Sequence, residues 1–177
     1  NIDPNNANSN GNYANLLKKL NRNDESETYY LKALNIDPNN ANSNGNYANL
    51  LKKLNRNDES ETYYLKALEI DSNNEFNNAN YSQLLLEKGE KENVNNYIEN
   101  AFKNIIEEND LLIELWFYRL AHYSEYFEQA KKEIDKLLDK GIKSIGWDFN
   151  KNIKQAKKEG HPDIKLLKEY ADKITKE

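Results

Sequence analysis

The chain has no cysteine and no methionine among its 177 residues, only two histidines, and just 6 glycines and 3 prolines. Without thiols there is no disulfide framework and no thiolate metal site, a composition compatible with a cytoplasmic setting without requiring it. Without methionine the sequence cannot begin at a natural initiator, so it reads as a piece of a longer array entered in mid-repeat, and its first residues support no statement about targeting. No run is long and apolar enough to span a bilayer, since the most apolar stretch, Leu111 to Tyr123, is broken by Glu114 and Arg119. His122 and His161 stand at no metal-ligand spacing and no glycine-rich phosphate loop occurs, so no enzyme activity, cofactor or metal is expected. His122 ends an apolar helical stretch, where packing or capping is the plainer role.

The charge balance excludes another class. Residues 1–68 carry 8 basic and 8 acidic side chains, and residues 69–177 carry 17 against 22, which supplies the whole net charge of −5. A nucleic-acid groove should be strongly basic. A pI of about 5.3 has the wrong sign for it.

What the chain does have is repetition. Residues 1–34 recur letter for letter as residues 35–68, and a third, diverged copy starting at Glu69 keeps Ile70, Asp71, Asn80, Tyr81, Leu84, Leu85, Tyr97 and Ala101 at the same offset. A fixed period of this length marks stacked supersecondary units. Within a copy, Tyr13, Leu16, Leu17 and Leu20 follow the i, i+3, i+4, i+7 spacing of one helix face. Asn21 to Asn23 make a turn, and Asp24 is expected to cap a second helix with Glu27 three residues on. Tyr30, Ala33 and Leu34 form the inner stripe of that helix, which Pro38 limits. Neither helix carries enough apolar surface to stand alone, so each hairpin must lean on its neighbours.

With 34 residues per hairpin and Tyr13, Ala14, Leu17, Tyr30, Ala33 and Pro38 in the matching places, the chain resembles a tetratricopeptide repeat (TPR) protein. The resemblance implies an all-α, right-handed α-solenoid with a diverged C-terminal helical cap. Asn10 stands where the family carries a large aromatic, and Ser26 where it prefers alanine. Gly11 is expected to loosen the start of the first helix, at about 1 kcal/mol relative to alanine. Ser72, at the proline position, is expected to let a helix of the third copy run on toward Glu108. Thirty-one asparagines are an unusual load for helices, since Asn competes for backbone hydrogen bonds. Codon bias is the plainer account of them.

The organisation read from these signals is three TPR-like repeats over 1–109 (1–34, 35–68, 69–109), a diverged fourth hairpin over 110–141 and capping helices over 142–177. Asp110 and Ser124 are the expected caps of the fourth hairpin, and Gly141 its stop. The last two helices are expected from Asp148 to Glu159 and from Pro162 to Ile174. Asp148, after Trp147, is taken as an N-cap. Asn80, Tyr81 and Ser82 match a glycosylation sequon but fall within a helix, where the match is chance.

The resemblance also implies a function, a protein-interaction scaffold whose concave groove binds an extended peptide or a partner helix. The family's ligand-contacting positions fall on Asn8, Asn12, Asn15, Lys18 and Lys19, then on Asn42, Asn46, Asn49, Lys52 and Lys53, and in the third copy on Phe76, Asn80, Gln83, Leu86 and Glu87. Stacking aligns Asn12, Asn46 and Asn80 in one row and Asn15, Asn49 and Gln83 in another. Each amide offers a donor pair and an acceptor, matching the N–H and C=O of an extended backbone. Alternatively these amides bond one another or face water. Gly11 stands at the first lysine position of the clamp by which some TPR domains hold acidic chaperone tails, so that activity is not expected. Lys18, Lys19, Lys52 and Lys53 favour an acidic stretch or simply solvate the turn. The competing functional readings are a sensing or spacer arm of a larger multidomain protein and an engineered repeat array without its own ligand. Self-association is expected through an exposed flank around Tyr13, Leu17 and Tyr30.

Overall fold

The computed structural model describes residues 5–92 and 94–177, which contain ten α-helices, one 3-10 turn and no strand. Two compact units divide between Tyr81 and Ser82. The first holds α1 (Ala7–Lys19), α2 (Asn23–Ile36), α3 (Ala41–Lys53), α4 (Asn57–Ile70) and the opening of α5 (Glu75–Lys88).

Asparagine starts these hairpins and turns them. Asn6, Asn40 and Asn74 each accept the backbone N–H three residues on through the side-chain oxygen, at 2.9, 2.9 and 3.0 Å, the N-cap bond that satisfies an otherwise orphaned donor. In the turn, Asn21 and Asn55 take φ of 58° and 60°, a left-handed conformation that Asn tolerates better than most residues. The Arg22 and Arg56 N–H groups then reach back to the Leu17 and Leu51 carbonyls at 2.9 Å.

The expected capping box fails. Asp24 lies inside α2, whose N-cap position is Arg22 with no side-chain cap bond. Glu27 instead accepts from the Tyr47 hydroxyl and from Arg56, at 2.7 and 2.6 Å. The expected run of the third copy's second helix toward Glu108 fails too, since that helix, Val94–Asn104, stops short of it. α4 stops at Ile70 as α2 stops at Ile36, because Asp37 and Asp71 each fold back to accept the N–H two residues on, with Pro38 following one and Ser72 the other.

The core of the first unit joins successive hairpins. Ala14, Tyr30 and Leu34 of the first copy pack with Tyr47, Leu50 and Leu51 of the second. The Tyr30 and Tyr47 rings lie 5.8 Å apart, as do those of Tyr64 and Tyr81 one repeat later. Ser26 and Ser60, departures from the family's alanine, are fully buried and donate to the Ala14 and Ala48 carbonyls at 2.8 Å, pinning the two helices of each hairpin. Of the flank expected to be partly exposed, Tyr13 is half-buried, whereas Leu17 and Tyr30 are completely buried. Leu16 of α1 and Leu20, its C-cap, are the large exposed apolar residues there.

Gly11 does not loosen α1, which is continuous from Ala7. A Cβ at Gly11 would stand 3.1 Å from Ser43 Oγ, and one at Gly45 only 1.9 Å from Oδ1 of the buried Asn77. These glycines let the first helices of successive repeats approach.

The second unit completes α5 and adds α6 (Val94–Asn104), α7 (Asp110–His122), the 3-10 turn Ser124–Tyr126, α8 (Phe127–Asp139), α9 (Asn150–Lys158) and α10 (Ile164–Thr175). α7 is buried round most of its circumference and contacts α6, α8, α9 and α10. Phe117 stacks on Phe149 with centroids 3.9 Å apart, and Arg119 pairs with Glu99 while lying over the Phe102, Trp116 and Tyr126 rings. Asn109, not Asp110, caps α7. Ser124 opens the 3-10 turn, and α8 has no side-chain cap bond. Gly141 ends α8 with φ of 77°. Asp148 accepts from the Asn150 N–H ahead of α9, and Pro162 precedes the Asp163 cap of α10 and lies outside that helix.

The identical repeats allow a controlled test of the glycine contacts. We expect Gly45→Ala to cost at least about 1 kcal/mol more than Gly11→Ala, because both gain the same helix propensity but only the former must displace a buried amide. Urea unfolding of the two variants checks it, and equal midpoints would contradict it.

Candidate peptide-binding face

The expected ligand residues lie on the first helices of the repeats, and the two amide rows differ sharply in what they do. Asn15 Oδ1 accepts from the Tyr30 hydroxyl and Asn49 Oδ1 from the Tyr64 hydroxyl, each at 2.6 Å. Tyr30 and Tyr64 are completely buried, so these amides give the phenols an acceptor they would otherwise lack. Burial also raises the Tyr30 pKa, keeping that phenol a donor. Gln83, in the second unit, is buried and donates weakly to the Asp148 carbonyl at 3.5 Å.

The other row is different. Asn12 is exposed, Asn46 half-buried and Asn80 buried, and none of the three side-chain amides makes a hydrogen bond to another described residue. Flanking asparagines are all engaged. Asn40 donates to Asn8 and Asn74 to Asn42, at 3.2 and 3.3 Å, while Asn44 and Asn78 donate to the carbonyls of Asn40 and Asn74 at 2.9 Å.

At the C-terminal ends of α1 and α3, Lys18, Lys19, Lys52 and Lys53 form a basic cluster. Burial and the charges of Lys53, Lys52 and Lys19 lower the Lys18 pKa to about 8. Lys53 donates to the Lys18 carbonyl and to Asn21, at 3.2 and 2.7 Å. Phe76, one turn before Asn80 on α5, is 49% exposed and adds an apolar element to the first-helix face. The sequon at Asn80 is buried within α5, with Ser82 completely covered.

In the second unit, His122 packs as expected at the end of α7, within a cluster that spacing alone did not reveal. Its Nδ1 lies 3.0 Å from Glu159 Oε2, which also receives Lys91 Nζ at 2.6 Å. Burial lowers the His122 pKa against the opposing pull of Glu159. Glu159 itself is raised by burial, but hydrogen bonds from Lys91, His122 and Gln155 more than offset this and leave it below the usual carboxylate range. No group of three or more His, Cys, Asp or Glu among the described residues is arranged to hold a metal. No helix among them is long and apolar enough to cross a membrane.

Residues 5–73 match the tetratricopeptide repeat family model, so this segment consists of TPR-like helix-turn-helix repeats. Three solved structures share the fold. Pseudomonas aeruginosa pilF aligns at 19% identity and a TM-score of 0.63 over 77% of this chain and 62% of its own, so the alignment spans less than two thirds of that protein. YrrB, a TPR protein with an unusual peptide-binding site, aligns at 18% identity and a TM-score of 0.60, covering 97% of this chain and 88% of YrrB. A tetratricopeptide repeat protein from Parabacteroides merdae ATCC 43184 aligns at 13% identity and a TM-score of 0.54, covering 95% and 84%. No curated protein matches the sequence. The fold class is thus an all-α array of TPR-like hairpins, an α-solenoid.

The two amide rows should separate by stability. Asn15→Ala and Asn49→Ala each orphan a buried phenol and should cost about 1–3 kcal/mol, whereas Asn12→Ala and Asn46→Ala should change stability by less than about 0.5 kcal/mol. Denaturant titration checks this, and a uniform cost across all four would contradict it. The second unit should weaken in mild acid. His122 is neutral in the fold with its pKa below the unfolded value of about 6.5, so the unfolded chain binds the proton first and stability falls as pH drops below that value toward the folded pKa. His122→Gln should flatten the dependence of the urea midpoint between pH 7.5 and 5.5, and an unchanged slope would count against this origin.

Proposed function

We propose that the chain is a protein-interaction scaffold whose first-helix face binds an extended peptide across successive repeats. The observation that carries this reading is the row Asn12, Asn46 and Asn80, three amides in equivalent register without internal partners beside asparagines that are all engaged. Amides so spaced can accept the N–H and donate to the C=O of a peptide backbone, giving affinity without demanding a particular side chain. The amide N–H groups of Asn15 and Asn49 remain available to donate even though their oxygens serve the tyrosines.

Lys18, Lys19, Lys52 and Lys53 supply positive charge at one end of the face, so a bound segment with acidic residues there is favoured. Peptide binding is what the similar YrrB is described as doing. In this reading residues 1–109 form the binding array, 110–141 a fourth hairpin and 142–177 the cap.

Isothermal titration of acidic extended peptides into the chain tests the proposal. Asn46→Ala and Asn80→Ala should each weaken binding about five- to tenfold. Lys18 is protonated below its pKa of about 8, so affinity for an acidic peptide should fall between pH 7 and pH 9. Absence of any peptide ligand, or normal binding by both alanine variants, would overturn the reading.

A further inference from the structure

The two identical copies show one surface in two states. In the second hairpin Leu50 is completely buried and Leu54 half-buried, in a cluster with Tyr30 and Leu34 of the preceding α2. In the first hairpin the equivalent Leu16 and Leu20 are 49% and 56% exposed. Because residues 1–34 and 35–68 are the same, the difference is not in the side chains but in whether a helix lies over them.

The polar edge of the surface repeats the contrast. Glu27 of α2 accepts from the Tyr47 hydroxyl at 2.7 Å and from Arg56 Nη1 at 2.6 Å, while the other two nitrogens of Arg56 hold Glu59. Arg22 holds Glu25 in the same way, yet its Nη1 and the Tyr13 hydroxyl have no partner among the described residues. The receiving ring is already in place, since Tyr13 packs edge-on against Tyr29 with centroids 4.7 Å apart, as Tyr47 does against Tyr63. One carboxylate would serve both free donors.

We propose that this face of the first hairpin, formed by Tyr13, Leu16, Leu20 and Arg22, docks an amphipathic helix of a partner polypeptide that presents Glu, Tyr and Leu at i, i+3 and i+7. The chemistry of the occupant is read from inside the molecule, where Glu27, Tyr30 and Leu34 of α2 have that spacing and meet the same residues one repeat on. Such a spacing puts the three side chains on one helical stripe. Tyr30 and Leu34 stand one helical turn apart, as do Leu16 and Leu20, so a helix matches this face where an extended strand would overshoot it. A second folded copy cannot supply the helix from its identical repeats, because Tyr30 and Tyr64 are both completely buried. The role is separate from recognition of an extended peptide by the asparagine row.

The probe is a synthetic peptide of residues 23–36 with blocked termini, titrated into the full chain carrying labelled leucine methyl groups. The Leu16 and Leu20 methyls should shift saturably with a Kd of about 1 mM or tighter, Leu50 should not respond, and the bound peptide should show helical Cα shifts. Tyr30→Ala in the peptide should weaken binding at least about tenfold, and Glu27→Gln about threefold or more. In the chain, Leu16→Lys should weaken binding at least about tenfold, with circular dichroism confirming that the helices persist. If Leu16→Lys unfolds the first hairpin, the two peptide variants still decide, because they leave the chain untouched. No saturable Leu16 or Leu20 shift up to about 5 mM peptide, equal binding by both peptide variants, or an extended bound peptide would overturn the assignment. Asn46→Ala should leave this binding unchanged while weakening that of an extended peptide. Loss of the 23–36 complex in Asn46→Ala with retention in Leu16→Lys would place the peptide on the asparagine row and also overturn it, so the two proposals fail separately.

Discussion

Burial of one hairpin's apolar face by the next is the constraint on which the rest of the first unit depends. The repeat supplies its own control, because residues 1–34 and 35–68 are identical. Leu16 is 49% exposed and Leu50, the same residue one repeat on, is completely buried. What differs is the presence of Tyr30 and Leu34 from the preceding hairpin in the Leu50 cluster. Covering one leucine side chain fully is worth about 1.5–3 kcal/mol, comparable to the margin by which a small domain is stable at all. The helices themselves have weak intrinsic reasons to form. They are rich in Asn and contain Gly11 and Gly45, so tertiary burial decides.

Polar contacts add register to that nondirectional force. Tyr47 and Tyr81 donate to Glu27 and Glu61 of the preceding copies, at 2.7 and 2.9 Å, and Arg56 shares Glu27. Asn40 and Asn74 each combine an N-cap bond along their own helix with a bond to the neighbouring repeat. Such bonds contribute about 0.5–1.5 kcal/mol each when made and cost more when a buried group is left open. They select one stacking offset among several that hydrophobic burial would tolerate.

The repeat period, the two helices per repeat, the turn at Asn21 and the buried stripe of Tyr30, Ala33 and Leu34 were legible in the sequence because periodicity and turn chemistry are local signals. The buried positions of α7 and the stop at Gly141 were legible for the same reason. The caps were misread at Asp24, Asp110, Ser124 and Asp148, since capping depends on one or two residues of phase, and Asn6, Asn40 and Asn74 went unnoticed among so many asparagines. Codon bias does not account for their placement, because each cap oxygen meets a specific N–H. Gly11 was read as a cost to its helix, whereas at the equivalent Gly45 the approach of Asn77 from the next repeat makes glycine a packing requirement that no single-helix argument contains. The Lys91, His122 and Glu159 cluster joins residues up to 68 positions apart and left no mark on local spacing.

The diverged third copy separates the two amide rows on physical grounds. Where the first two copies have Tyr30 and Tyr64, the third has Ile98, which has no hydroxyl to satisfy, and there the amide partner changes from Asn to Gln83. The residue that served the phenol is released together with the phenol. Asn80 keeps the identity of Asn12 and Asn46 although it has no internal hydrogen bond and its neighbours Ala79, Ser82 and Gln83 all differ from the copy before. An amide bound to a buried tyrosine is held by the fold. One retained without such a bond is not held in that way, and under the proposed function an extended backbone lying across the first helices would engage it.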